Sequence, residues 1–294
     1  MTLLTLLAAL GLDYYRPLSR PSSVDAWLAV KAAWLQEHFN AGSARHGWLA
    51  WAIGALLPAA IAGMVSGFMQ LISPPLVWVA AFALLYFASG YRQVVQTAQD
   101  MVGALTVLDL DRARRFCGDW CAGLPSDADA EAMARNGIGT VFRLSLERLF
   151  GIVFWFVWLD LIGVLLYVLT RFLAEHWRSA GEFGRPARQV LHWLDWLPAR
   201  GLAFSFAIVG NFEHALAGWR ARAVQARNEE VVCAAGAGAL GVRLGEPLAE
   251  IAPGNPAAGW DAPSAEYLEG AVHLVWRALL LWLVLLAMLW LAGR

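Results

Sequence analysis

Long apolar runs alternate with polar stretches along this chain, and they predict membrane-spanning helices. Residues 47–72 contain no charged side chain, residues 150–170 contain only Asp160, and residues 274–293 contain Arg277 near their start and no other charge. A helix needs about 20 apolar residues to cross the roughly 30 Å hydrocarbon core of a bilayer. Each of these three runs is therefore long enough to span.

Three shorter runs add to this pattern. Ser73, Pro74 and Pro75 favour a turn, so residues 47–72 and 75–90 are predicted to form a helical hairpin. Residues 3–12 are interpreted as a short or tilted span, and residues 201–219 as a span or an interfacial helix. We therefore expect an all-α, polytopic membrane bundle in a single domain over residues 1–294, with about five spans and a range of four to six.

Arginine and lysine in the connecting segments predict the orientation. Residues 91–148 carry seven of these cations and residues 16–46 carry four, against five in residues 171–200. Because cytoplasmic loops are enriched in Arg and Lys, the polar loops 16–46, 91–148 and 220–273 are predicted to face the cytoplasm.

Helical spacing is also present inside the loops. It predicts an amphipathic helix over residues 25–39, lying on the membrane surface, and a second helix over residues 108–120. A third is predicted over residues 128–136, capped by Ser126 and Asp127 and ended by Asn136 and Gly137.

Composition supports the same class of protein. The chain is 59% hydrophobic and 15% charged, with a mean hydropathy of +0.53, whereas a soluble domain has roughly 45–50% apolar and about 25% charged residues. A formal net charge of −1 supplies no basic field for nucleic acid. We expect a multi-pass protein of the bacterial inner membrane, with lipid as a partner and no nucleic-acid partner.

Several short patterns have more than one interpretation. Asp160, near the middle of a span, indicates either a polar pocket or a pairing with a neighbouring helix. The GxxxG of Gly63 and Gly67 favours packing within the chain, with a homodimer as the second interpretation. The GxGxxG over residues 236–241 lacks the strand and long helix of a dinucleotide site, so tight helix or loop packing is favoured.

Metal chemistry has little support in the sequence. Cys117 and Cys121 are spaced for one helix face, but the six histidines are scattered singly, so the cysteines are interpreted as free thiols in a helix contact and no metal site is predicted. Arginines around residue 114 suit phosphate, carboxylate or anionic lipid.

Three sequence motifs resemble stretches of a known family. Residues 237–245 read AGALGVRLG and are followed by Pro247; residues 195–200 read DWLPAR; residues 110–115 read LDRARR. These resemble signature stretches of the CobD/CbiB family, and Asp13 falls where that family has its first aspartate.

The resemblance implies an inner-membrane step of cobalamin synthesis. Members of that family are adenosylcobinamide-phosphate synthases, which use ATP to join adenosylcobyric acid, a corrinoid, to an aminopropanol phosphate. It implies Asp13 and Glu147 as catalytic residues that bind metal or activate the amine. It also implies Arg114, Arg200 and Asn228 as substrate-binding residues, with ATP and Mg²⁺ required for catalysis.

The chain departs from the family pattern in its acidic motifs. Only Glu147 keeps a carboxylate in residues 143–154, where Arg143 and Arg148 reverse the charge, and Asn228 alone survives from another motif. These losses resemble AmpE, a membrane relative linked to signalling. A non-catalytic, AmpE-like sensor or regulator that needs no cofactor is therefore the alternative function.

Overall fold

The computed structural model describes residues 2–15, 23–121, 124–125, 127–222, 227–245 and 259–292. Within these ranges the secondary structure is helical, and the extended pairing consists of one isolated bridge between Val242 and Asp261. The predicted all-α class is confirmed.

Thirteen α-helices account for most of the described chain. They are α1 (Thr2–Tyr15), α2 (Ser23–Phe39), α3 (Ala44–Trp51), α4 (Leu57–Ile72), α5 (Pro74–Ser89), α6 (Tyr91–Thr106), α7 (Leu110–Cys117), α8 (Ala130–Ser145), α9 (Gly151–His176), α10 (Arg185–Val209), α11 (Phe212–Arg222), α12 (Asn228–Leu240) and α13 (Ala265–Ala292). Single π-helical turns at Ala52–Leu56 and Leu146–Phe150 join α3 to α4 and α8 to α9, and a 3₁₀ turn follows α7 at Gly118–Cys121.

Four helical stretches in the described chain are long and apolar enough to cross a membrane, although the second of them is interrupted at Gly90, where α5 ends in the left-handed conformation. They are Ala44–Ile72, Pro74–Thr106, Ala130–His176 and Ala265–Ala292. Their length and composition support the predicted polytopic membrane protein. Residues 201–219 do not form one helix, because α10 ends at Val209 and α11 begins at Phe212.

The helices divide into two compact units. The first contains α1–α5, α9 and the start of α10. At its centre, the indole of Trp177 donates to the carbonyl of Ala32 (3.1 Å), and the indole of Trp51 donates to the Thr170 hydroxyl (3.1 Å). These buried tryptophans fix α2 and α3 against α9.

The packing of the first unit shows what the two glycines of the GxxxG motif contact. A β-carbon built on Gly63 would lie 2.3 Å from Cδ1 of Ile162, whereas one on Gly67 would meet nothing within 4 Å. Packing within the chain, the favoured interpretation, is therefore confirmed at Gly63, where α4 lies directly against α9.

Asp160 marks a break within α9. Its φ of 52° and ψ of −137° are not helical, and this region of backbone space is costly for any residue with a β-carbon. Its carboxylate accepts a hydrogen bond from the backbone N–H of Leu161. The sequence does not predict the bend at Asp160. No proline lies in this helix, and no glycine lies between Gly151 and Asp160.

The second unit contains α6–α8, the end of α10 and α11–α13. Here the predicted bounds of α8 were wrong. The helix starts later, because the Asp129 carboxylate caps the N–H of Ala132. It also runs past Asn136 to Ser145, because Thr140 donates to the Asn136 side chain and Gly137 lets Met101 pack closely.

The GxGxxG residues lie in and after α12, as the packing interpretation expected. A β-carbon on Gly236 would lie 2.6 Å from the Phe142 ring, and one on Gly238 would lie 2.2 Å from the carbonyl oxygen of His214. Gly241, with φ of 70°, ends the helix in the left-handed conformation.

The remaining helix predictions fare differently. The helix predicted over residues 25–39 is confirmed as α2, and that over 108–120 is confirmed as α7 with its 3₁₀ turn.

The expectation of free thiols was wrong for Cys117, which is disulfide-bonded, whereas Cys233 is a free thiol.

Candidate functional site

Two of the predicted substrate-binding residues meet in the second unit. Arg200 follows Pro198 in α10, and its Nη1 donates to Oδ1 of Asn228 at 3.0 Å. Asn228 is the first residue of α12 and is 4% exposed, while Arg200 is half-buried. The structure therefore joins side chains 28 positions apart in the sequence.

The helices explain why these two side chains face each other. Ala203 packs with Val231 and Ala235 in a small core, and the N–H of Asn211 donates to the carbonyl of Ala239 at 3.1 Å. Later residues of α10 thus contact later residues of α12, so the helices run in the same direction. Small side chains along this contact hold Arg200 beside the start of α12.

The electrostatics of this pair favour an anion. Burial lowers the pKa of the Arg200 guanidinium, yet an arginine stays protonated at neutral pH. The start of α12 adds the positive end of a helix dipole. A guanidinium, an amide and a helix N-terminus together suit a phosphate or carboxylate.

Two acidic side chains, Glu229 and Glu230, lie in the first turn of α12 beside this pair. Glu230 accepts from Nε of Arg227 at 2.9 Å, and that bond is the main reason why the pKa of Arg227 is raised. Arg227 is exposed, with 73% of its side chain accessible. It is therefore a surface cation next to the pair that can serve as a matched control.

Glu147 lies in the π-helical turn after α8. Its Oε1 is 3.2 Å from Nη1 of Arg143, in an ion pair between residues four apart, and 19% of its side chain is exposed. The carboxylate that the family resemblance assigns to catalysis is therefore held by an arginine of its own helix.

Helix register separates Glu147 from the Arg200–Asn228 pair. Cys233 donates to the carbonyl of Gly139 at 3.5 Å, and Gly236 lies against Phe142, so α8 and α12 run in the same direction. Asn228 is then level with the first half of α8, whereas Glu147 lies beyond its end. At 1.5 Å per residue the separation is on the order of 15–20 Å along the helices.

Arg114 is not brought to the pair either. Arg114 donates to the carbonyl of Ala128 at 3.3 Å and lies 3.7 Å from Asp111, so its contacts tie α7 to the segment before α8. Asp13 belongs to α1, and its side chain lies outside the described residues.

Comparison with known proteins gives the family. The sequence profile of the family described as CobD/Cbib protein matches residues 6–275. This chain belongs to the CobD/CbiB family.

Curated relatives agree with that assignment. "Cobalamin biosynthesis protein CobD" of Stutzerimonas stutzeri (strain A1501) is 34% identical over 267 residues, covering 86% of each chain. The protein of the same name from Chromobacterium violaceum is 34% identical over 224 residues, covering 72% of this chain and 71% of its own. No solved structure matches. These relatives support a role in cobalamin biosynthesis.

The residues present do not fit a magnesium ion held at Glu147. In the described chain no three His, Cys, Asp or Glu side chains group to hold a metal ion. Nucleotide-bound Mg²⁺ usually needs one or two protein carboxylates in addition to the phosphates. The carboxylate of this CobD/CbiB member in that region, Glu147, is ion-paired with Arg143 instead, which makes it a poor ligand for a metal ion.

The sequence does not predict one polar contact of the DWLPAR motif, residues 195–200. The Tyr167 hydroxyl donates to Oδ1 of Asp195 at 2.8 Å, and both side chains are buried in the first unit. Asp195 is the first residue of the DWLPAR motif, and this position marks it as a candidate functional residue in the sequence. Its partner could not be found, because a tyrosine in an apolar span is most simply interpreted as a packing residue.

Proposed function

We propose that this protein acts in cobalamin biosynthesis at the bacterial inner membrane, in the step that joins an aminopropanol phosphate to adenosylcobyric acid. In this proposal the Arg200–Asn228 pair holds an anionic group of one substrate. The observation that carries it is the 3.0 Å hydrogen bond between them, which links the LPAR motif to the surviving asparagine of a second family motif.

The pair is suited to binding and orienting. The half-buried guanidinium can form two parallel hydrogen bonds to a phosphate or carboxylate, and Asn228 fixes its direction. Holding a substrate group in this way lowers the entropic barrier to amide formation. The corrinoid, ATP and Mg²⁺ enter the proposal through the family resemblance alone.

A non-catalytic, AmpE-like regulatory function is the second candidate. The Arg143–Glu147 ion pair favours it, because a carboxylate held by arginine is a poor metal ligand and a poor base. The separation of Glu147 from Arg200 along α8 and α12 favours it further. Under this alternative the protein keeps the family fold and needs no cofactor.

Binding and turnover can be measured separately. Purified protein in nanodiscs is titrated with adenosylcobyric acid and, in a second experiment, with aminopropanol phosphate. The amide product is then sought by mass spectrometry after ATP and Mg²⁺ are added. We expect Arg200→Gln to weaken the binding of one substrate and to reduce product in proportion.

Two further variants separate the candidates. Arg227→Gln removes a neighbouring exposed cation and is expected to leave binding and product unchanged. If Glu147→Ala abolishes product while binding persists, Glu147 takes part in the chemistry. Absence of both binding and product in the unaltered protein, beside an active relative, would reject the ligation proposal in favour of the regulatory one.

A further inference from the structure

We propose that α2 lies in the lipid interface of the membrane, with an apolar stripe of Trp27, Val30 and Trp34 inserted among the lipids. This stripe is opposite the face by which α2 packs on the first unit. The proposal concerns a surface that the Arg200–Asn228 site does not include, and it stands whether or not the protein makes an amide.

One face of α2 is committed to the protein. Ala32 and Leu35 are 1% and 5% exposed, and the carbonyl of Ala32 accepts from the buried indole of Trp177. Leu35 touches the next helices, since a β-carbon built on Gly54 would lie 2.8 Å from its Cδ1. The orientation of α2 about its own axis is therefore set.

The opposite face carries large apolar side chains, with Glu37 exposed two turns after Val30, and it is uncovered in the described structure. The exposed fractions of Trp27, Val30 and Trp34 are 59%, 67% and 48%. At 100° per residue these three positions form a continuous stripe that points away from Ala32 and Leu35. Such large apolar side chains are costly to leave in water.

Polar side chains border the stripe as they do in interfacial helices. The ammonium of Lys31 lies 5.8 Å from the centre of the Trp27 ring, and the His38 ring stacks on Trp34 at 4.5 Å. In the headgroup region, aromatic rings lie at the acyl boundary and a lysine stem extends so that its ammonium reaches the headgroups.

The depth of α2 agrees with this position. Leu35 contacts Gly54, and the 18 residues from Gly54 to Ile72 rise about 27 Å, close to the roughly 30 Å of the hydrocarbon core. With the end of α4 at Ile72 taken as one boundary of that core, Leu35 lies near the other. Two further tryptophans, Trp48 and Trp193, are exposed and lie 6.5 Å apart, and tryptophan is enriched at this level of membrane proteins.

Lipid fits the stripe better than a second copy of the chain. Three side chains offer a few hundred Å², whereas a stable protein interface needs about 800 Å² from each partner. The next helix along the chain belongs to a candidate span and also exposes large apolar side chains, Leu49, Ile53 and Leu57, each at least 40% exposed. Because α2 packs on that helix, its exposed face is expected to meet the same lipid.

Photocrosslinking in a defined bilayer tests the proposal. The full chain with p-benzoylphenylalanine at Val30, or separately at Trp34, is reconstituted in nanodiscs of phosphatidylethanolamine and phosphatidylglycerol and irradiated. Intact-protein mass spectrometry then distinguishes a lipid adduct from a crosslinked dimer. The matched control carries the same residue at Asp111, whose side chain is 87% exposed on α7.

We expect lipid adducts at Val30 and Trp34 to exceed those at Asp111 several-fold. Adducts no higher than at Asp111 would show that the stripe faces water. Dimers as the main product would show that a second copy covers it. Either of these two results overturns the proposal, and because substitutions are at exposed positions, size-exclusion profiles should stay unchanged in all variants.

Discussion

Arg200 and Asn228 depend on each other at the scale of single residues. Asn228 is almost fully buried, and its side-chain oxygen accepts a hydrogen bond from the Arg200 guanidinium. Removal of one partner from a buried hydrogen bond leaves the other with a desolvation cost.

We therefore predict that Asn228→Ala lowers the free energy of unfolding by about 1–3 kcal/mol. Thermal unfolding in a mild detergent measures this loss. Arg227→Gln, which removes an exposed ion pair, should cost less than about 1 kcal/mol. Equal losses in the two variants would contradict the account of a buried, directed pair.

Asp160 carries a second residue-scale prediction, because its left-handed φ is strained for any side chain with a β-carbon. Asp160→Gly removes the strain together with the carboxylate, whereas Asp160→Ala removes only the carboxylate. Asp160→Gly should therefore be more stable than Asp160→Ala, by about 1 kcal/mol.

The order of the two Asp160 variants is the deciding observation in thermal unfolding. If Asp160→Gly is no more stable than Asp160→Ala, the backbone at this position is not strained. The change in the free energy of unfolding between the unaltered protein and Asp160→Ala then measures what the carboxylate contributes through its bond to Leu161.

At the scale of helices, close backbone approach explains the small residues of α12. Gly238 lies against the backbone of His214, where no side chain can move aside. Gly139, in the neighbouring α8, has open space beside its missing β-carbon. The same substitution should therefore have opposite effects in the two helices.

We predict that Gly238→Ala destabilises the protein by about 1–3 kcal/mol through overpacking. Gly139→Ala should stabilise it by up to about 1 kcal/mol, because alanine favours the helix. Chemical unfolding followed by circular dichroism compares the two. A neutral Gly238→Ala would mean that α11 and α12 do not approach this closely.

The sequence predicts some helices better than others for physical reasons. The position of α2 and the turn at Ser73 follow from local patterns, hydrophobic spacing and proline. The continuation of α8 past Asn136 does not, because it depends on Met101 packing against Gly137, a contact made by a distant helix.

The candidate site shows the same limit. Motif resemblance identifies Arg200 and Asn228 separately, but their hydrogen bond follows from the packing of α10 on α12. The engagement of Glu147 by Arg143 could be suspected from their spacing of four. Its distance from Asn228 could not, since it requires the relative direction of α8 and α12.

At the scale of the whole molecule, the CobD/CbiB family relationship and the changed acidic motifs point in different directions. Membership rests on a match over residues 6–275, and relatives that are named for cobalamin biosynthesis cover most of the chain. Few carboxylates remain in the stretches that resemble the family's acidic motifs, whereas Arg200 and Asn228 are hydrogen-bonded to each other. We propose that this pair serves amide formation.

The most direct test is an assay of membranes that contain this protein, with adenosylcobyric acid, aminopropanol phosphate, ATP and Mg²⁺, read by mass spectrometry. The account predicts the amide product in membranes with the unaltered chain and with Arg227→Gln, and its loss with Arg200→Gln. No product from the unaltered chain, beside an active relative assayed in parallel, or undiminished product from Arg200→Gln, would contradict it.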